Sequence, residues 1–338
     1  MAKQNKSTHD EHYIPQFYIR LFYADKTDKN LNAEQGKVCY RRFDNDKIVN
    51  CLSDKICHVK DLYETAMNSS KVRDILIQEG KVDEAADNFF EKELKIKEDA
   101  ASVMLPKIIN RCKKAQNGEK VLNNADVEFF TEYLVLQLFR HPVWLEIAIL
   151  SYYTAICLAN KTQYKVDSDI ATLFGHETMK RFFTRDSQFI KEYAAEILKT
   201  HNVCIVESTK DFSFFVGDFP ILIPRLPEPP ENIFKECTFI FPVSPKYCVC
   251  FTTKKQKYHK KKLPASRELI ELYIETFVDS ALVISNFIFS DKISNELFAY
   301  LKERKDEIIL LQKESGYDTT KEYCEAIREY IAKINGMT

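Results

Sequence analysis

The pattern of apolar residues changes its period once along this chain, near His201. Before that point, apolar side chains recur at helical spacing over three long regions, 83–116, 124–160 and 167–199. After it, short β-branched and aromatic runs are separated by turns, and seven of the eleven prolines lie between Pro220 and Pro245. Because helices and strands are segregated along the chain and do not alternate, the pattern predicts an α+β fold.

In this fold we expect a helical half packed against an antiparallel β-sheet, with more residues in helices than in strands. A short helix is predicted to begin at Pro15, and a hairpin is predicted over 37–43 and 47–51. Later strands are predicted at 203–207, 213–216, 237–241 and 247–253. Later helices are predicted at 266–284, 293–305 and 319–334. The sequence shows no long polar linker. We therefore predict one large domain over 1–338, helix-rich over 1–200 and β-rich with C-terminal helices over 201–338.

Glycine scarcity excludes two common classes of nucleotide-binding protein. Only 7 of 338 residues are glycine, which is about 2% against a typical ~7%. No two glycines have the spacing of a dinucleotide-binding or P-loop motif, in which backbone amides must approach a phosphate closely. Most nucleotide-dependent dehydrogenases and NTPases are therefore excluded.

The sequence indicates a cytoplasmic protein with no membrane partner. The first eleven residues are polar and charged, and the longest uncharged apolar piece, 147–160, is shorter than the ~20 residues that span a bilayer. The ten cysteines include no C-x-x-C pair, so we interpret them as structural thiols and not as metal ligands or disulfides.

A polar group near the N-terminus is the first candidate site. His12 precedes the helix that Pro15 opens, and Gln16 and Arg20 lie one turn apart on one face of that helix. A helix N-terminus favours anions and histidine titrates near neutral pH, so His12, Gln16 and Arg20 could hold or process a phosphate or carboxylate. In the alternative, Gln16 and Arg20 satisfy nearby backbone carbonyls.

The helix predicted over 124–160 should break near Pro142, because the residue before a proline disfavours the helical conformation. Gln137 and Arg140 end the apolar helical segment ahead of that break. A buried arginine needs a partner, because an unpaired buried charge is very costly. One interpretation is an ion pair with Glu91 or Glu98. The other is a planar fork that, together with Gln137, binds an anionic ligand.

Asp218 follows an apolar run and a glycine, at the expected end of a strand. Polar groups at strand ends often carry chemistry, so Asp218 could orient His12, act as a base or bind a metal ion. It could equally cap its own turn.

The stretch from residue 254 to residue 262 is the strongest charge run of the chain, whose net charge is -1. Such a run can attract a phosphate backbone. We therefore predict that its lysines contact nucleic acid: Lys254, Lys255, Lys257, Lys260, Lys261 and Lys262. In the alternative it is a solvated loop.

The opening segment His12-Tyr13-Ile14-Pro15-Gln16-Phe17-Tyr18-Ile19-Arg20 resembles that of a bacterial family named domain of unknown function 4238. Its members begin with His-Tyr-(Val/Ile)-Pro-(Gln/Arg)-Phe-Tyr-Leu-Arg. The resemblance continues in order through Leu62-Tyr63, Glu91 with Glu98, 137–142, 215–220 and 241–245. Two positions depart from the pattern, with His141 where Thr is usual and Phe219 where Asn is common. The family name implies no activity, but the resemblance implies recurring polar positions at His12, Arg20, Arg140 and Asp218.

From these residues we expect a phosphodiester hydrolase, a bacterial nuclease of the defence or toxin type. His12 is then general acid or base, Arg20 and Arg140 stabilise the developing charge, and Asp218 orients His12 or binds a divalent cation, the candidate cofactor. The alternative is a non-catalytic sensor or interaction protein that binds an anionic small molecule or nucleotide. A third interpretation is that the polar motifs only brace the fold. The sequence leaves a homo-oligomer open.

Overall fold

A computed structural model gives the fold of the chain. The residues that it describes are 10–23, 37–45, 47–60, 62–63, 70–86, 88–142, 144–145, 148–149, 168–185, 187–224, 233–253, 258–282 and 284–315. Structural statements below concern these residues, and the helix predicted at 319–334 lies outside them.

Helices dominate the structure, which is 54% helical and of the α+β class, as predicted. The described helices are α1 (Gln16–Ile19), α2 (Ser70–Gln78), α3 (Phe89–Lys114), α4 (Asn124–Arg140), α5 (Ser168–Phe183), α6 (Gln188–Thr200), α7 (Ile233–Glu236), α8 (Arg267–Ser280) and α9 (Asn295–Ser315). A 3₁₀ turn, Arg20–Phe22, continues α1. Within the described residues, no helix combines the length and the apolar character that a membrane crossing needs.

The strands within the described residues form three separate sheets. They are β1 (Asp10–His12), β2 (Lys37–Arg42), β3 (Ile48–Leu52), β4 (His58–Lys60), β5 (His201–Glu207), β6 (Phe239–Pro242), β7 (Tyr247–Thr253), β8 (Lys262–Pro264) and β9 (Phe287–Ser290). The sheet orders are β1-β4, β3-β2-β9 and β6-β7-β5-β8. All strand pairs are antiparallel except β5 with β8, which are parallel.

The four-stranded sheet is buried on both faces. Val203 and Ile205 of β5 belong to a core shared with α3, α4 and α6. Cys204 and Val206, on the opposite face of the same strand, belong to a second core shared with α8 and α9. Since successive side chains of a strand point to opposite faces, one apolar run supplies both cores. The eight cysteines within the described residues are free thiols.

Helix α4 begins and ends where its sequence specifies. Asn123 accepts a hydrogen bond from the backbone N–H of Asp126, and the Asp126 carboxylate accepts one from the N–H of Asn123, which is a complete capping box. At the other end His141 is extended, with φ -67° and ψ 134°, because the following Pro142 disfavours a helical conformation there. The predicted break before Pro142 is therefore confirmed.

Some predicted elements differ from the structure. The helix predicted over 167–199 is two helices, because Ser187 caps a new one by accepting a hydrogen bond from the Ile190 N–H. The run 213–216 is not a strand and makes a single bridge, Val216 to Phe289. The partner of that bridge belongs to β9, a strand that the sequence analysis missed, and helix α3 begins at Phe89 and not at residue 83.

Lys262 joins the helical layer to the four-stranded sheet. Because its side chain is buried there, it is not available for the nucleic-acid contact predicted for it. Its side chain is 5% exposed. The ammonium donates to the carbonyls of Cys112 and Ala115 at the end of α3, at 3.1 and 2.5 Å, and lies 2.9 Å from the Glu207 carboxylate of β5. These three partners match the three donors of a lysine, and a buried ammonium is tolerated only when it is paired in this way.

We expect Lys262→Met to lower the free energy of unfolding by roughly 2–4 kcal/mol, because it leaves the end of α3 and part of Glu207 without a donor. The matched control is Lys261→Met, in which the neighbouring half-buried lysine loses the same charge; it should change stability by about 0.5 kcal/mol or less. Urea denaturation followed by circular dichroism measures both. Equal losses would contradict the role given to Lys262.

Candidate functional site

Two histidines face each other across the sheet of β1 and β4. His12 and His58 are directly paired in the antiparallel register, and their ring centroids are 5.5 Å apart with an interplanar angle of 50°. Both residues are partly exposed, although the Nε2 atom of His12 is itself buried. Two imidazoles this close can both contact one small anion, and histidine is the side chain whose ordinary pKa lies nearest to neutral pH.

The last residue of α4 holds the backbone of this histidine pair. The Arg140 side chain is 1% exposed; its Nη2 donates to the carbonyl of His12 at 2.6 Å, and its Nη1 lies 2.5 Å from Glu98 Oε1 on α3. Burial alone would lower the pKa of Arg140. The negative charge of Glu98, together with smaller contributions, outweighs burial and raises the pKa above its ordinary value. The smaller contributions come from Tyr63, Glu91 and Tyr133. Of the two interpretations of Arg140, the structure contains the ion pair with Glu98.

Glu11, the residue before His12, connects strand β1 to Tyr63. Glu11 is fully buried, and its carboxylate accepts a hydrogen bond from the backbone N–H of Tyr63. The Tyr63 hydroxyl in turn donates to the carbonyl of Arg140 at 3.1 Å, and the Arg140 guanidinium lies 6.0 Å from the centre of the Tyr63 ring. Strand β1, residues 62–63 and the end of α4 are thus joined by charged and polar contacts.

Three buried polar groups on one face of α4 have no hydrogen-bond partner among the described residues. They are Tyr133 Oη, Gln137 Nε2 and Arg140 Nε, in side chains exposed by 3% or less. Their spacing of four and three residues places them on one side of the helix. Burial raises the pKa of Tyr133, so its hydroxyl keeps its proton. Buried donors are almost always bonded, so these three could bind water or an anionic group.

Asp218 contacts the residue after His12, and none of its hydrogen bonds within the described structure goes to His12 itself. Its carboxylate accepts from the Tyr13 hydroxyl at 2.7 Å and from the N–H and side-chain amide of Asn286 at 2.6 and 3.2 Å. Burial raises the pKa of Asp218. Contrary to the prediction that it orients the His12 ring, Asp218 fixes Tyr13.

Gln16 and Arg20 pair with each other at the surface. Arg20 Nη2 donates to Gln16 Oε1 at 3.1 Å, and Arg20 Nε donates to Ser53 Oγ at 3.3 Å. Arg20 is exposed and Gln16 partly so. Their described side-chain contacts do not join them to His12, Arg140 or Asp218, so the predicted group of four polar residues is only partly assembled.

The lysine run lies at the other end of α3. Lys254, Lys255 and Lys257 lie outside the described residues, whereas Lys260 and Lys261 are half-buried. Lys114, beside the run, follows Glu98 by sixteen positions along α3, which is about 24 Å at the rise of an α-helix. The lysines therefore do not line the histidine site.

The divalent cation considered above would need a group of ligand side chains close together in the structure. Within the described ranges, no three or more His, Cys, Asp or Glu side chains are grouped so that they could hold a metal ion.

The sequence analysis missed His58, Tyr63 and Tyr133. His58 lies in a strand of three residues, which is too short to give a pattern of alternation. Tyr133 could have been found, because it lies four residues before Gln137, on the face of α4 that also carries Arg140. Which strand pairs with β1 depends on tertiary structure.

Comparison with models of known protein families places most of the chain in a family. The model of a family described as protein of unknown function (DUF4238) matches residues 11–337, nearly the whole chain. No curated protein and no solved structure matches the chain significantly.

His141 should make the protein sensitive to acid. It is buried between the rings of Tyr13 and Phe219, and burial lowers its pKa to about 4. The unfolded chain, with an ordinary pKa of about 6.5, takes up this proton first. This contribution to stability is therefore complete above pH ~6.5 and is lost as the pH falls towards about 4, by at most ~1.4 kcal/mol per pH unit. In His141→Gln the decline over this range should be shallower, which urea titrations at a series of pH values would measure; parallel curves would contradict it.

Tyr13 and Asp218 should act as a pair in stability. Tyr13→Phe leaves Asp218 short of a donor, and Asp218→Ala leaves the Tyr13 hydroxyl without its acceptor, so each should lower the free energy of unfolding by about 1–3 kcal/mol. Because both changes remove the same hydrogen bond, the double variant should lose less than the sum. Strict additivity in urea denaturation would contradict this coupling.

Proposed function

We propose a function for this chain, which belongs to the DUF4238 family of proteins of unknown function, from the geometry around its histidine pair. The proposed activity is that of a phosphodiester hydrolase, specifically a nuclease that cleaves RNA. The observation that carries this proposal is the pairing of His12 with His58, partly exposed and with ring centroids 5.5 Å apart.

A pair of imidazoles supports this chemistry because it can supply a base and an acid together. One neutral ring takes the proton of an RNA 2′-hydroxyl as the 2′-oxygen forms a bond to phosphorus. The other ring, protonated, gives its proton to the 5′-oxygen as the bond between that oxygen and phosphorus breaks. The products are a 2′,3′-cyclic phosphate and a free 5′-hydroxyl, and the substrate supplies the nucleophile. Hydrolysis of the cyclic phosphate then uses the same two groups in exchanged roles.

The neighbouring residues have supporting roles in this proposal. Arg140 is a positioning residue, because it holds the carbonyl of His12 and is itself ion-paired with Glu98. Arg20 is exposed and adds positive charge near the N-terminal helix. We propose a bacterial defence or toxin system in the cytoplasm as the setting, because RNA is abundant there and cleaving it stops growth.

Replacing either histidine tests the proposal. We expect His12→Ala and His58→Ala each to lower the rate of RNA cleavage by about 10²- to 10⁴-fold, the usual contribution of a general acid or base. The rate of the unchanged protein should follow a bell-shaped pH profile, because one ring must be neutral and the other protonated. Denaturing electrophoresis of a labelled RNA, with detection of the cyclic phosphate end, measures both.

The matched control is Val59→Ala, which shortens an exposed side chain on β4 beside His58. It should keep full activity, and all variants are compared by melting temperature. Cleavage of an all-deoxy strand, or full RNA cleavage by a folded His58→Ala protein, would overturn the assignment.

The alternative function is a non-catalytic sensor that binds an anionic small molecule or nucleotide. It is favoured by the three buried donors on α4, which could bind such an anion while His12 and His58 only donate hydrogen bonds. A thermal-shift screen of phosphate and mononucleotides distinguishes the two. A nucleotide that raises the melting temperature, is recovered intact, and loses its effect in Tyr133→Phe supports the sensor; RNA cleavage that is lost in His12→Ala supports the nuclease.

A further inference from the structure

Three segments, of which two are consecutive and the third lies more than a hundred residues later, form one positively charged surface, here called the basic surface. They are the last turns of α3, the connection from α3 to α4, and the stretch 258–261. Its cationic residues are Lys107, Arg111, Lys113, Lys114, Lys120, Lys260 and Lys261. The five that lie on α3 and the connection are exposed, and the last two are half-buried.

The fold attaches these segments to each other firmly. Lys120 pairs with Lys261 in an antiparallel bridge, and Lys260 donates through Nζ to the side chain of Asn124. The buried Lys262 bonds the carbonyls of Cys112 and Ala115 at the end of α3. The basic surface is therefore a built feature of the structure and not the chance approach of a loose loop.

The charge of this surface is far from balanced. Across residues 104–126 and 258–261 the acidic residues are Glu119 and Asp126. Asp126 already pairs with Arg111 at 2.6 Å, and Glu119 accepts a hydrogen bond from the backbone N–H of Gln116. Lysines in the last turn of α3 interact favourably with the helix dipole, which accounts for part of this charge. The dipole does not account for Lys120, Lys260 or Lys261. In a chain of net charge -1, such like-charge crowding creates a local positive potential that attracts polyanions.

Two further features favour nucleic acid over other polyanions. An open groove of about 500 Å³ runs along the surface. It is lined by Lys107, Arg111 and Lys114, by the amides of Asn110 and Asn123, and by Met104 and the Asp126 carboxylate that is paired with Arg111. At the edge of the surface the ring of Tyr258 is 48% exposed. An exposed ring beside cations can stack on an unpaired base, whereas an acidic peptide or a lipid headgroup offers it no planar partner.

We propose that the basic surface binds single-stranded nucleic acid, with the lysines on the phosphates and Tyr258 stacked on a base. Lys107 and Lys114 follow Glu98 by nine and sixteen positions along α3, which is about 14 and 24 Å at the rise of an α-helix, so this surface is separate from the histidine pair. The proposal concerns binding alone and does not depend on the cleavage proposed above.

Binding of a labelled oligothymidylate, followed by fluorescence anisotropy over a series of salt concentrations, tests the proposal. This DNA probe has no 2′-hydroxyl, so it reports binding whether or not the protein cleaves RNA. We expect the triple variant Lys107→Gln, Lys114→Gln, Lys120→Gln to bind at least tenfold more weakly. Its log-log salt slope should be smaller by about 2, at about 0.7 per lost phosphate contact. Tyr258→Ala should bind about five- to a hundredfold more weakly with an unchanged salt slope.

The matched control is the double variant Lys37→Gln, Lys47→Gln, which removes two exposed lysines from the hairpin of β2 and β3. This hairpin belongs to the sheet β3-β2-β9, whereas the stretch 258–261 leads into β8 of the four-stranded sheet. The control should bind the probe as the unchanged protein does. The proposal is overturned if the unchanged protein does not bind, if the triple variant and the control weaken binding equally, or if a matched duplex is bound more tightly than the single strand and Tyr258→Ala has no effect.

Discussion

The buried guanidinium of Arg140 is the contact on which the N-terminal part of the structure depends. It lies at the end of α4, is ion-paired with Glu98 of α3, and holds the carbonyl of His12 in β1. Removing a guanidinium from water costs several kcal/mol and is repaid only when it has well-placed partners. The helices and β1 therefore have to meet in this arrangement for the charge to be tolerated, and the position of His12 follows from it.

Three consecutive residues extend this arrangement, since each one bonds to a different part of the chain. Glu11 bonds the backbone of Tyr63, the carbonyl of His12 bonds Arg140, and the hydroxyl of Tyr13 bonds Asp218. A strand of three residues would be marginal alone. With these contacts it is anchored to the helical layer and to the β-rich part, so the pairing of β1 with β4 becomes a defined feature. The motifs that resemble the family pattern thus brace the fold and at the same time orient a histidine pair.

Much of the fold could be predicted because it follows from local patterns. The α+β class, the hairpin of β2 and β3 and the break before Pro142 depend on periodicity, turn composition and proline sterics. The helical periodicity over 167–199 predicted one helix, but Ser187 caps a new helix within this range and the structure has two. A local capping signal thus interrupts the longer periodic pattern. Strand β9 was missed because its four residues lie between two helical patterns.

The candidate site could be predicted only in part. The sequence by itself determined that Arg140 must be buried and paired, because its neighbours are apolar and a lone charge among them is too costly. It also determined that residue 262 belongs to a lysine-rich stretch. Only the tertiary structure decided that Glu98 is the partner of Arg140 and that Asp218 bonds Tyr13. It also decided that His58 lies opposite His12. The same is true of the burial of Lys262 next to the half-buried Lys261. The physical reason is that burial and charge limit which types of residue can meet, whereas which two of them meet depends on how distant segments pack.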